Sequence, residues 1–291
     1  MNLGGFISAN FNPFSGKPDT VEYLVVAGGG SGGSNGAGGG GAGGLLQGSG
    51  FAVASGSALT VTVGAGGASV NLTNNGNAGS NSVFSSITAV GGGYGSLATP
   101  GAGGSGGGSG ANLTTAAGTS GQGFAGASGY SAITTYYYVY GGGGGSGSVG
   151  KLPLASNLFV GGNGGTGTCS TITGSRVFYA GGGGGCALND NAASSAAVTA
   201  GIGAAGGGTG AAELRGSTTV AATSGLANTG SGGGGGSYYR AQTSGLGGSG
   251  VVIIRYSATQ SAPVSTTGNP QINYSDGYQI YTFTSSGTIT F

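Results

Sequence analysis

The stretch GGGSGGSNGAGGGGAGG, residues 28–44, decides how this chain folds. It is a flexible linker, a collagen strand, or bare backbone packed against itself. A strand-like segment, VEYLVVA (Val21–Ala27), runs straight into it. Similar stretches recur at 64–67, 91–95, 101–110, 141–150, 161–167, 181–185, 201–210, 230–236 and 245–250. In all, 78 of the 291 residues are glycine, against about 7% in ordinary proteins. Glycine loses the most conformational entropy on ordering, so such a chain needs strong compensating contacts.

Composition separates the three readings. Disordered chains combine low hydrophobicity with high net charge. Here 4% of residues are charged, the net charge is +1, and 37% are apolar, with 14 Tyr and 10 Phe. That is the composition of a chain that packs. Collagen needs glycine at every third position and about 15–20% proline or hydroxyproline, and this chain has 6 prolines. The remaining reading is polyglycine II, a left-handed helix with three residues per turn and no internal hydrogen bonds. Its amides must find partners on neighbouring helices, so a buried helix carries almost no side chains.

That geometry predicts substitutions at every third residue, on one face of an edge helix. Ser31, Ser34 and Ala37 are so spaced, with Asn35 and Ala42 off the face. Ala102 and Ser105, Asn163 and Thr166, Leu246 and Ser249, and Ile202 and Ala205 follow the same spacing, whereas Ala204 breaks it. The bare runs Gly141–Gly145, Gly181–Gly185 and Gly232–Gly236 belong in the middle of the bundle.

Strand signals flank the runs. ALTVTVG (Ala58–Gly64) and NSVFSSITAV (Asn81–Val90) alternate. GVVIIRYS (Gly250–Ser257) is continuously apolar, as in a strand buried on both faces. GYQIYTFTSSGTITF (Gly277–Phe291) reads as strand, turn at SSG, strand. Ala187–Ala200 lacks an apolar period and reads as a loop. No segment reads as a helix. The expected fold is mainly β and irregular: a bundle, or sandwich, of polyglycine II helices flanked by short strands.

Function classes narrow by exclusion. The six basic residues, Lys17, Lys151, Arg176, Arg215, Arg240 and Arg255, are scattered, which argues against nucleic acid. No run of 18 apolar residues suits a membrane span. The start, Met1–Asn10, lacks a basic and apolar leader pattern. Catalysis lacks support: there is no histidine to act as a base near neutral pH. The acids Asp19, Glu22, Asp190, Glu213 and Asp276 are dispersed. GAGGSG (Gly101–Gly106) matches a dinucleotide fingerprint, but a glycine-rich chain produces such matches by chance and no helix follows. No cofactor or metal is expected; Cys169 and Cys186 stand 17 apart without histidine, which excludes a zinc site. The two cysteines are either a disulfide closing the loop around RVFYA or two free thiols.

Recognition is the better-supported chemistry. Aromatic clusters adjoin the three bare runs: TTYYYVY with Tyr136, Tyr137, Tyr138 and Tyr140; SRVFYA with Arg176, Phe178 and Tyr179; SYYRAQ with Tyr238, Tyr239 and Arg240. Tyrosine joins a rigid face to a polar tip, as in antibody loops, and arginine adds forked donors. The competing readings are that these aromatics cap the bundle as small cores or contact another subunit. If the ten stretches alternate in direction, 134–140 and 175–180 share one end and 237–242 lies at the other. The long insert Ala111–Tyr140 shares the first end. The first 20 residues, with Phe6, Phe11 and Phe14, read as a docking segment or a disordered leader.

The ordered set VEYLVVAGGGSGG, GGAGGLL, LTVTVGAGG, NSVFSSITAVGGG and GGSGVVIIRYS, spanning 21–257, resembles the glycine-rich domain of tail-fibre and receptor-binding proteins of tailed bacteriophages. The architecture resembles the distal adhesins of T-even-type tail fibres. The resemblance implies a non-enzymatic adhesin in the virion, assembled in the host cytoplasm. Its loops would recognise a host surface receptor, an outer-membrane protein or a polysaccharide. The chain then divides into a docking segment (1–20), the glycine-rich domain (21–257) and a C-terminal β segment (258–291). In the family a segment like Gly277–Phe291 precedes the first strand; here it closes the chain. It would pair with Val21–Ala27 of its own chain or with a neighbouring subunit. That second choice gives the alternative reading, a virion decoration or filament subunit whose termini link copies. Partners would be met through 1–20 or 277–291. Ice binding, a third idea, needs a flat face that bulky tyrosine loops do not favour.

Overall fold

A computed structural model describes residues 16–72, 75–110, 115–132, 137–155, 159–191, 197–215, 217–238 and 243–291. The expectations for residues 1–15 and for Tyr136, Tyr239 and Arg240 concern positions outside them. The described residues contain no helix and these short strands: β1 (Thr20–Val26), β2 (Leu45–Ala52), β3 (Ala58–Thr62), β4 (Ser82–Phe84), β5 (Ile87–Ala89), β6 (Tyr130–Ala132), β7 (Tyr137–Val139), β8 (Leu154–Ala155), β9 (Phe159–Val160), β10 (Thr168–Ser170), β11 (Val177–Tyr179), β12 (Ala187–Asn189), β13 (Val198–Thr199), β14 (Ala212–Leu214), β15 (Ser217–Val220), β16 (Val251–Ser257), β17 (Ser265–Thr266), β18 (Gln271–Ser275), β19 (Tyr278–Phe283) and β20 (Gly287–Thr290).

The longest strands form a sandwich at one pole. One sheet has the order β18-β19-β16-β1-β2, the other β17-β20-β3-β4-β5. Side chains alternate across a strand. Val21 and Val25 of β1, Val252 and Ile254 of β16, and Tyr281 and Phe283 of β19 therefore face Val61, Phe84 and Ile289 of the opposing sheet. Leu24, Val26, Val251, Ile253 and Ile280 face the other way, toward Ile172, Tyr179 and Ala180. Both faces are buried, which explains the continuous apolar run in β16. Glu22 and Arg255 stand opposite in the β1–β16 register and form an ion pair at 2.7 Å. The same guanidinium lies 4.3 Å above the Tyr278 ring and donates to the Thr171 carbonyl at 3.2 Å.

Lateral hydrogen bonds define the glycine bundle. Along run 37–44, the amides of Gly38, Gly41 and Gly44 donate to Ser96, Gly93 and Val90. Those of Gly39 and Ala42 donate to Gly141 and Gly144, and those of Gly40 and Gly43 to Gly233 and Gly230. Every third residue thus meets the same neighbour, the period of polyglycine II. Its carbonyls receive bonds from Gly30, from Ser105 and Gly108, and from Gly183. Six runs (28–33, 90–96, 105–109, 141–145, 181–186 and 230–236) therefore surround 37–44. Each also bonds its ring neighbours: Gly92 donates to Gly28, Gly93 to Ser105, Gly144 to Gly106, Gly143 to Gly183, Gly232 to Gly181 and Gly233 to Gly30. The ring closes. The bare runs lie in it, as expected near the middle, but the axis is 37–44. Side chains are shut out because a Cβ on Gly40 would fall on the Gly30 carbonyl, and one on Gly183 on the Gly233 carbonyl.

Four stretches that read as single helices reverse; one, 101–110, folds at 103–105, with Gly101 donating to Tyr94, Gly104 to Gly91 and Gly107 to Gly101. Run 28–33 returns as 37–44, with Gly30 bonded to Gly41 and Gly33 to Gly38. The reversal sits at Asn35 (φ 67°) and Gly36 (φ 71°), the left-handed pair that an Asn-Gly turn supplies. The stretch 141–150 folds at 146–148, with Gly145 donating to Ser148 and Gly142 to Lys151. The stretch 201–210 folds at 204–206, with Gly207 donating to Ala204 and Gly210 to Gly201. Ser31, Ser34 and Ala37 consequently do not share an outer face, and all are buried. On outer helices the spacing holds for Asn163 and Thr166, both exposed, and for Leu246 with the half-buried Ser249; Ala102 and Ile202 are exposed, but their partners do not share a face with them, Ser105 being buried and Ala205 lying in a reversal.

The extra reversals correct the assignment of ends. Partner order gives each run a direction. Run 141–145 parallels 37–44, whereas 181–185 and 230–236 oppose both. The connections 128–140 and 237–243 therefore share the pole opposite the sandwich, called here the loop pole. The hairpin β10–β11 across 168–179 lies at the sandwich pole instead. Three further corrections concern strands. The C-terminal β19 pairs with β16, one strand beyond Val21–Ala27. The SSG segment is no hairpin turn, because β20 crosses to pair with β3 in the other sheet. Ala187–Ala200, read as a loop, contributes β12 and β13, with 192–196 outside the described residues. Since β16, β19 and β20 build both sheets, residues 258–291 are continuous with the glycine-rich part in packing.

Candidate recognition surface

The loop pole is floored by a small sheet of order β15-β14-β12-β7-β6 beside a second of order β13-β9-β8. These strands extend directly from runs 141–145, 181–185 and 207–211, so the rigid bundle fixes their positions. Alternation in β7 turns Tyr137 and Val139 inward and leaves Tyr138 half-buried. Tyr137 stacks on Phe159, with centroids 3.7 Å apart and planes 3° from parallel. Tyr140 is 3% exposed. Its ring closes over the Asn35–Gly36 turn, where a Cβ on Gly36 would meet the Tyr140 hydroxyl at 2.7 Å. Tyr137 and Tyr140 thus cap the bundle.

A carboxylate is built into this cap. Glu213 of β14 is fully buried, and its Oε2 accepts the backbone N–H of Tyr238 at 3.1 Å. This bond ties the 237–243 connection to the floor. Burial, and then Glu213, push the Cys186 thiol far above its ordinary value. Burial, followed by Cys186, Tyr138 and Tyr238, raises the Tyr140 phenol. At the rim, Arg215 pairs with Asp190 at 3.6 Å.

The pole presents Tyr130 (44% exposed), Tyr238 (47%), Leu152 and Leu154; Tyr130 stands opposite Val139, whereas Tyr138 is on the other face of the sheet, in register beside Ser131 and Leu188. Tyr130 was covered only by the long insert 111–140, and Leu152 and Leu154 were missed. The signal available was Leu-Pro-Leu between two glycine runs, since a bundle connection has no interior to fill.

The expected constellation does not assemble in one place. Arg176 and Phe178 are exposed on the β10–β11 hairpin at the sandwich pole. Tyr179 is buried there against Leu24 and Ile253, because the hairpin lies on the inner sheet. The two cysteines are free, Cys169 exposed and Cys186 buried. Cys169 lies in the hairpin and Cys186 at the loop pole, with run 181–185 between the poles, a span of roughly 15 Å. The thiols are therefore free, and the disulfide reading falls. A cleft of about 740 Å³ opens beside the sandwich among Leu45, Gln47, Gln122, Phe124, Ser146 and Thr168, away from the tyrosine cap. Among the described residues no three His, Cys, Asp or Glu side chains gather to hold a metal. No helix among them is long and apolar enough to cross a membrane.

No curated protein matches the chain. The family model described as a glycine-rich domain matches residues 9–257. That span takes in the bundle, the loop pole and the inner strands of the sandwich, so the chain belongs to the glycine-rich domain family.

Proposed function

We propose that this glycine-rich protein is a non-enzymatic virion component, an adhesin of a phage tail fibre. It recognises a host surface receptor, an outer-membrane protein or polysaccharide, through its loop pole. One observation carries this reading: the molecule is polar. The sandwich gathers β1, β16, β19 and β20 at one end. The tyrosine-bearing connections 128–140 and 237–243 emerge at the other, held by a bundle of laterally bonded backbone. A fibre attached at the sandwich would leave the loop pole distal. The resemblance of the ordered motifs to phage tail-fibre domains supports the same reading. The filament alternative is less favoured, since β19 and β20 each have a strand on both sides already.

The recognition surface is then Tyr130, Tyr138 and Tyr238 with Leu152 and Leu154, above a cap of Tyr137 and Tyr140. Aromatic rings with polar tips suit sugar faces and protein surfaces alike. The test is binding of the labelled protein to a panel of bacterial cells, and its competition with phage adsorption. The double variant Tyr138→Ala/Tyr238→Ala should lose binding while keeping its thermal transition. Arg176→Ala/Phe178→Ala, at the opposite pole, should bind as the parent does. Loss in the second variant with retention in the first would overturn the assignment.

A further inference from the structure

Strand β18 is unusual for its position. It is held on one side by β19, and among the described residues its other edge is the margin of the sheet. Four of its five residues are exposed. Ile272 (52% exposed) and Tyr274 (63%) lie on the same face, opposite Tyr281 and Gln279 in register. Tyr281 belongs to the sandwich core, so this is the inner face of the sheet, uncovered where β18 overhangs. Across the step, Val264 beside β17 is 81% exposed. A free edge bearing apolar side chains is a template for another strand.

We propose that this edge is the docking site for residues 1–15 of the same chain. The described chain begins on the same sheet, near the end of β16, two strands from this edge. The Gly16 carbonyl accepts the N–H of Ser261 at 2.8 Å, and the Ser261 carbonyl accepts the Tyr256 hydroxyl at 3.3 Å. The neighbouring Gln260 carbonyl accepts Nε2 of Gln279 at 2.7 Å, and Gln279 is the register partner of Tyr274. The segment that precedes Gly16 contains Ile7-Ser8-Ala9-Asn10-Phe11, apolar at alternate positions. Its length equals that of β18, 5 residues. From β16 across β19 and β18 to a new strand is three spacings, about 14 Å. Residues 12–16 reach about 17 Å when extended, so the connection closes. The added strand would run parallel to β18, with Ile7, Ala9 and Phe11 toward Ile272, Tyr274 and Val264. It would cover the step and remove an edge that otherwise invites pairing between molecules.

Hydrogen exchange on the full-length chain tests this. The amides of β18 that β19 does not engage should be protected in the parent. In Ile7→Asp/Phe11→Asp they should exchange at least tenfold faster, with the opposite sheet edge, β2, unchanged as an internal control. Light scattering on the same samples should show a monomeric parent. Free-peptide exchange at β18 in the parent would overturn the proposal. So would a dimeric parent whose dissociation unmasks β18, since a second copy would then be the occupant.

Discussion

Adding one methyl group to the middle of the bundle, Gly143→Ala, tests the packing on which every other feature depends. The new Cβ would fall on the Gly40 carbonyl of the axial run. Runs 141–145 and 37–44 would have to part by on the order of 1 Å to restore ordinary contact. The bonds joining them stand at 3.1 Å, Gly39 to Gly141, and 3.0 Å, Ala42 to Gly144. Both would stretch beyond hydrogen-bond range, leaving two buried amide donors at about 1–3 kcal/mol each. Alanine lowers the entropy of the unfolded chain, which offsets about 0.4–1 kcal/mol. The net loss is about 2–5 kcal/mol, or roughly 5–15 °C in Tm for a chain of this size. The comparison is Thr166→Ala on the adjacent run, where the side chain is exposed and the expected change is within about 0.5 kcal/mol. Scanning calorimetry with circular dichroism reads both. A Gly143→Ala transition within about 2 °C of the parent, a shift below 1 kcal/mol, would refute close lateral packing of bare backbone.

The turn at Asn35–Gly36 makes a second case: Gly36→Ala must hold a φ near 71° and crowd Tyr140, so it should cost about 1–3 kcal/mol by denaturant titration. Thiol labelling of the native protein should modify one cysteine per chain, Cys169, with Cys186 reacting only on unfolding; two fast equivalents would contradict the buried cap. Burial raises the phenols of Tyr140, Tyr179, Tyr256 and Tyr281 above the ordinary value of 10.0. The folded chain then keeps protons that the unfolded chain releases near pH 10. Stability from these groups is complete below that pH and is lost as pH rises through it. Ultraviolet titration of tyrosinate against pH should show these rings ionising together with unfolding, not before it.

Much of the fold was legible locally. β1, β3, β16 and β19 were visible as alternating or continuous apolar segments, because a strand's burial pattern repeats every two residues. β2 was not, since its LLQGSGFA sequence has two glycines and a half-exposed pattern. The three-residue spacing on the outer helices was legible for the same reason: one face of three meets solvent. Reversals within long glycine stretches were harder to see. Asn35–Gly36 carried a turn signal, but Ser146–Ser148 looks like any other substitution in a run. Each hidden reversal exchanges the two ends, which is why Arg176 and Phe178 parted from Tyr138 and Tyr140, and Tyr238 joined them. Nor does the sequence distinguish Tyr140 from Tyr138 two residues earlier: strand alternation gives both the same side, and it is the Asn35–Gly36 turn beneath the Tyr140 ring that buries one of them.

The amino-acid sequence by itself determined that backbone would pack against backbone in the glycine runs, because glycine at this density leaves their amides with no partners except one another and no side chains to fill a core there. It also determined the apolar strands β1, β3, β16 and β19. Only the tertiary structure decided which run became the axis, which strand closed the sandwich beside β16, and which aromatic clusters came to share a pole. Those choices depend on the parity of chain reversals and on lateral bonds between residues far apart in sequence, and a run of identical glycines carries no label to say which neighbour it will meet.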